Sequence, residues 1–195
     1  QSRLVDIPDA LGIIAGSGTY PLLLAKAARK AGVPRIVAAA FTDETSPRLA
    51  GEVDEIQWMR VGQLSKLVNF FSEASIHYAV MAGQIAPKNL FDLRPDWKML
   101  LLLARLKRRN AESIFAAVAE ELDRANVELL SAITFLGDCI AQPGLIAGPK
   151  LSRRQEAGVS YGSAVAKASS RLDIGPTVIV KHRTVRTRVA FEGTN

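Results

Sequence analysis

Apolar positions in the first half of the chain alternate between two rhythms. Short runs with little polar interruption, Leu11-Gly12-Ile13-Ile14-Ala15, Arg35-Ile36-Val37-Ala38-Ala39-Ala40 and His77-Tyr78-Ala79-Val80-Met81-Ala82, have the length of strands buried on both faces. Glu55-Ile56-Gln57-Trp58 adds a shorter one. Between them, Pro21 to Ala31 is rich in Leu, Ala and Lys before Gly32 stops it, and Leu64, Leu67, Val68 and Phe71 mark one face at helical spacing. Strands separated by helices imply parallel pairing, because a parallel crossover is long and usually contains a helix. The pattern therefore predicts an α/β fold.

Further on, a polar loop from Pro87 to Pro95 precedes two predicted helices, Asp96 to Arg108 and Ala111 to Arg124, and Val127 to Ser131 reads as a further strand. Turn formers crowd Gln142 to Pro149, which marks a linker or long crossover. Ser152-Arg153-Arg154-Gln155 has capping-box spacing and opens a helix to about Arg171. Thr177 to Lys181 and Val185 to Phe191 then read as a strand pair, the second alternating Val185, Thr187, Val189 and Phe191 against Arg186, Arg188 and Ala190. The organisation expected is a first domain over residues 1–135 and a second over 136–195.

Composition narrows the class. In 195 residues, 48% hydrophobic and 23% charged, there is enough apolar material for a packed core, which excludes disordered and fibrous chains. The single Cys139 cannot close an intrachain disulfide, and one thiol with the distant His77 and His182 cannot build a cysteine-rich zinc site. A reducing, cytoplasmic location is expected. No apolar run approaches the ~18–20 residues of a membrane span, and Asp6 and Asp9 ahead of the first apolar stretch do not suit a signal peptide. A net charge of +6 favours an anionic partner: phosphate groups, nucleic acid or an anionic membrane face.

Candidate chemistry begins at Gly16-Ser17-Gly18, between the first strand and the first helix. There a doubly wound sheet binds phosphate, since glycines admit close approach and the helix N-terminus offers free amides and the positive end of its dipole. The full dinucleotide fingerprint fails, because Pro21 stands where its third glycine belongs. A tight turn without ligand is the alternative. Asp43, past the second strand, could accept from a ribose hydroxyl or be an exposed loop aspartate. Gly83 and Gln84 end another strand at the sheet edge where ligands of open α/β folds gather, with a plain turn glycine as the alternative. Asp92, Arg94 and Asp96 put carboxylates and a guanidinium on one loop, although Asp96 also suits a helix cap. The helix from Trp97, with Met99 to Leu103 and Leu106 before Lys107, Arg108 and Arg109, fits either a core helix or a surface for acyl chains and anionic headgroups. Lys181, Arg183, Arg186 and Arg188 lack the interleaved aromatics of a nucleic-acid groove and read as a solvated strand face, so no nucleic acid is expected.

Taken in order, Gly-Ile-Ile-Ala-Gly-Ser-Gly-Thr-Tyr-Pro, Val-Gly-Gln-Leu-Ser-Lys-Leu, Val-Met-Ala-Gly-Gln, Asp-Leu-Arg-Pro-Asp, Asp-Ile-Gly-Pro-Thr-Val-Ile-Val and Glu-Gly-Thr-Asn resemble the metal-dependent UDP-2,3-diacylglucosamine pyrophosphatases of lipid A synthesis, the two-domain type and not the calcineurin-like one. The resemblance runs from Leu11 to Asn195. It implies a Rossmann-like N-terminal domain and a second α/β domain, here incomplete, with the substrate held between them. It implies hydrolysis of UDP-2,3-diacylglucosamine to 2,3-diacylglucosamine 1-phosphate and UMP, with Mg²⁺ or Mn²⁺ as cofactor. It also implies transient contact with the inner membrane surface and leaves a homodimer open. Carried over by position, Gly16, Ser17, Gly18, Gly83, Gln84, Asp92, Arg94, Asp96 and Thr194 would bind substrate, while Glu192 and Asn195 would serve catalysis and the metal.

Two departures bear on that reading. The family ends its last motif in aspartate, where this chain has Asn195, and an amide neither takes a proton from water nor supplies negative charge. The family's second domain also continues beyond the motif. Asn110 and Ala111 stand where the family commonly carries acidic residues, leaving Glu112 as the nearest carboxylate. A homologue that binds a nucleotide sugar or acylated sugar phosphate without turning it over is the rival expectation.

Overall fold

A computed structural model describes residues 7–85, 95–106, 111–141, 144–171, 177–181 and 184–189. It divides into two units, 1–140 and 141–195. In the first, the apolar runs become β1 (Ala10–Ala15), β2 (Arg35–Phe41), β3 (Glu55–Met59) and β4 (Tyr78–Ala82), joined by the two-residue β5 (Glu128–Leu129). The helices are α1 (Tyr20–Lys30), α2 (Leu64–Glu73), α3 (Trp97–Arg105) and α4 (Ala111–Asp123). The five strands are all parallel in the order β3-β2-β1-β4-β5, an α/β, Rossmann-like arrangement as expected.

Side-chain alternation along β1 divides the core. Leu11, Ile13 and Ala15 join Leu24, Ala25 and Ala28 of α1 on one face, while Ile14 joins the other face with Leu64, Leu67, Val68 and Phe71 of α2. The four positions that predicted the α2 face are thus the buried ones, with Phe70 added. Fully buried Phe71 sits centrally enough that truncation to Ala should cost roughly 3–5 kcal/mol. At the amino edge of the sheet, Asp54 accepts from the Ile36 amide and from Arg29, both at 2.7 Å, and Arg35 donates to the Ala74 carbonyl at 2.7 Å. The Ile36 amide, and after it the Arg29 guanidinium, hold the Asp54 carboxyl below its ordinary pKa. Side chains thus brace the amino edge of the sheet.

Local differences from the sequence reading have local causes. The strand predicted over Val127 to Ser131 pairs only at Glu128 and Leu129, since Asn126 enters at φ 60° and Ser131 opens a turn, although the Leu130 amide still reaches the Ala79 carbonyl at 2.8 Å. Helix α3 stops at Arg105 because Leu106 turns extended, with its side chain against the core; Lys107 and Arg108 lie outside the described residues. In the second unit, α5 (Arg153–Arg171) begins at the expected capping box, in which the Ser152 amide donates to Gln155 Oε1 at 2.8 Å. β6 (Thr177–Lys181) and β7 (Thr184–Val189) pair antiparallel. Their register shifts between Ile179 and Val180, whose partners are Thr187 and Val185, so exposed Arg186 is passed over and the uninterrupted alternation read from the sequence is broken.

Candidate functional site

Strand order reverses between β1 and β4, because the chain runs outward from β1 to β2 and β3 and then returns to the other side of β1. At such a switch point the loops leaving adjacent parallel strands diverge and open a ligand crevice at the carboxyl edge. Gly16-Ser17-Gly18 leaves β1 there and Gly83-Gln84 leaves β4, so the structure brings these five candidates together. The two loops are joined directly. The Gly16 amide donates to the Ala82 carbonyl at 2.8 Å, and Ser17 and Gln84 form an antiparallel bridge.

That contact separates the roles of the glycines. A Cβ on Gly16 would lie 2.4 Å from the Gln84 carbonyl oxygen, and one on Gly83 would lie 2.5 Å from that of Ser17. These glycines serve loop-on-loop approach. Gly18 is different: at φ 91°, a Cβ there would meet no described atom within 4 Å. The Ser17 hydroxyl donates to the Gln84 carbonyl at 2.9 Å and so belongs to the joint, whereas the Gln84 side chain is exposed.

Beyond Gly18, α1 starts with Thr19 at its N-cap and Pro21 in the first turn, and the Thr19 side chain makes no cap hydrogen bond among the described residues. Leu23 donates the first helical bond to the Thr19 carbonyl at 3.1 Å, which leaves the preceding amides without helical partners. The amides of Tyr20 and Leu22, Pro21 having none, thus stand with the positive end of the dipole beside the open space at Gly18. Arg29 and Lys30 complement the other end of the helix dipole.

Thr45 also supports this edge, and sequence reasoning passed over it. Buried within the loop after β2, it accepts from the Phe41 amide at 2.8 Å and donates to the carbonyl of Ala15, the residue before Gly16. The signal available was the polar cluster Thr42 to Ser46 following an apolar run. Asp43 is exposed with φ 68°, on the same loop.

Asp96 stands elsewhere. One of its oxygens accepts from the Met99 amide at 2.9 Å and the other from the Ser65 amide at 2.6 Å, so a single carboxylate caps both α3 and α2. Its own amide donates to the Gly62 carbonyl at 3.2 Å, which ties in the Val61 to Leu67 motif. On α3, Met99 and Leu102 are buried while Trp97, Leu100 and Leu101 are exposed, so the helix is neither wholly core nor wholly surface. Asp92, Arg94, Glu192, Thr194 and Asn195 lie outside the described residues. Among the described residues no group of three or more His, Cys, Asp or Glu could hold a metal ion, and no helix is long and apolar enough to cross a membrane.

Fold and edge together define an α/β, Rossmann-like protein with a glycine loop at the switch point of its sheet. The chain belongs to the family of the LpxI N-terminal domain, whose model matches residues 10–139. It is also similar to the UDP-2,3-diacylglucosamine pyrophosphatase LpxI of Caulobacter vibrioides, at 25% identity over 190 residues. That match takes in 95% of this chain and 66% of the relative, so the chain spans just under two thirds of the relative's length.

Proposed function

We propose that this chain acts on UDP-2,3-diacylglucosamine in lipid A biosynthesis, releasing UMP and 2,3-diacylglucosamine 1-phosphate. The observation that carries the reading is the open start of α1 beside Gly18, at the switch point of a sheet whose family is that of the LpxI N-terminal domain. A pyrophosphate diester bears two negative charges, and amides at a helix start stabilise such charge without titrating. In the proposed reaction, water oxygen bonds to one phosphorus of the pyrophosphate, the bridging oxygen leaves on the other phosphate, and the protons of water end on the two phosphate products. Gly18 and the α1 amides hold a phosphoryl group, and Gln84 offers its exposed carboxamide beside them.

The resemblance assigns Mg²⁺ or Mn²⁺ to Glu192 and Asn195. Among the described residues there is no acidic cluster that fits such an ion. An acylated substrate supports cytoplasmic action with transient contact at the inner membrane surface, and nothing in the reading requires nucleic acid or a dimer. Asn195 favours a second reading, in which the chain binds nucleotide sugar or acylated sugar phosphate without hydrolysing it.

The test is UMP release from UDP-2,3-diacylglucosamine in Mg²⁺, alongside thermal protection by 2,3-diacylglucosamine 1-phosphate. A ligand that binds only the folded protein raises its melting temperature by mass action. Release together with protection supports the enzyme, and protection alone supports the binding module. Neither effect at saturating, non-micellar ligand would sink both readings.

A further inference from the structure

We infer that Tyr20 is a positioning residue for the ligand site, its hydroxyl latching the turn after β5 to the mouth of α1 and so setting a further wall of the site. The inference rests on the anion site proposed above. Tyr20 is the first residue of α1, two positions beyond Gly18, and its hydroxyl donates to the Ala132 carbonyl at 2.7 Å across 112 residues of sequence. Because β4 lies between β1 and β5 in the sheet, a link from the start of α1 to the turn after β5 spans the carboxyl end of β4. It bounds the edge on the side away from β2.

The turn so held is an ordered object. Thr134 donates to the Ser131 carbonyl from both its amide, at 3.0 Å, and its hydroxyl, at 2.7 Å, and the Leu136 amide donates to the Ile133 carbonyl at 3.0 Å. At its far end Leu136 is buried with Leu24 and Leu11, and Phe135 packs against the same cluster. The turn is therefore attached in three ways: Leu136 by burial, Leu130 through its amide on the Ala79 carbonyl, and Ala132 between them through Tyr20. Removing only the hydroxyl leaves the apolar anchor and the Tyr20 ring in place, so the fold persists. Ala132 then loses its link to the start of α1, and the ligand must order this wall of the site on binding. A solvent-exposed hydrogen bond contributes little to global stability, so the loss falls on affinity.

The experiment measures calorimetric Kd for 2,3-diacylglucosamine 1-phosphate, and melting temperature, for the full chain, Tyr20→Phe and Gly18→Asn. Asparagine tolerates positive φ and places a side chain in the space open at Gly18; Gly18→Ala replaces it if the melting curve shows it unfolded. The expected result is Kd raised about three- to tenfold in Tyr20→Phe, with melting temperature within about 2 °C of the parent, and a larger loss in Gly18→Asn. An unchanged Kd in Tyr20→Phe with a weakened Gly18 variant overturns the latch and leaves the site standing. A fall in melting temperature above about 5 °C in Tyr20→Phe overturns it in favour of a merely structural tie. No binding by the parent, or full binding by the Gly18 variant, overturns the site and the latch together.

Discussion

Ser17 and Gln84, 67 residues apart, are joined by three hydrogen bonds: the Ser17 amide reaches the Gln84 carbonyl at 2.7 Å, the Gln84 amide reaches the Ser17 carbonyl at 3.2 Å, and the Ser17 hydroxyl donates to the Gln84 carbonyl at 2.9 Å. Loops that would diverge at the switch point are therefore bound to each other. Open space lies instead at Gly18, beside the start of α1.

Gly16→Ala and Gly83→Ala should each destabilise the fold by roughly 2–4 kcal/mol, since each methyl would meet opposing backbone and not a yielding side chain. Both break one joint, so the double variant should lose clearly less than the sum. Urea unfolding measures this. Losses below about 0.5 kcal/mol would show that the loops separate without consequence.

Asp96→Ala should lower stability by about 1–3 kcal/mol, because it uncaps α3 and α2 at once. Asp96→Asn keeps one acceptor oxygen and should recover part of the loss. Equal stability of all three proteins would mean that water caps both helices as well as the carboxylate does.

Asp54 supplies a pH dependence whose sign follows from its lowered folded pKa. Its contribution is present in full above the ordinary aspartate value near 3.8 and is lost as pH falls below that toward the lowered value. The side chain is 45% exposed, so solvent screening keeps the effect below about 1 kcal/mol. Asp54→Asn should be less stable than the parent at pH 6, with the gap narrowing as the solution is acidified below pH 4. A gap that stays constant to pH 2 would contradict the linkage.

Asn195→Asp, made in the whole protein, should raise UMP release by ~10²–10⁴-fold if that position activates water. An asparagine protein that is already fully active, with no gain from aspartate, would remove catalysis from residue 195.

The strands, α1, the α2 face and the α5 capping box were legible in the sequence because each rests on local periodicity or short-range chemistry. Leu64, Leu67, Val68 and Phe71 need only helical spacing to share a face, and Ser152 needs Gln155 only three residues away. The sequence also placed Gly16 and Gly83 at strand ends. It could not say that each exists to admit the other's loop, since that depends on β4 returning beside β1. Nor could it assign Asp96 to two helices, find Thr45 under Ala15, or join Tyr20 to Ala132, because each link crosses tens of residues and a single hydrogen bond leaves no periodic trace. Local pattern determined which segments became strands and helices. Strand order, set by how the two apolar faces of the sheet are covered, decided which polar atoms remain free to meet a ligand.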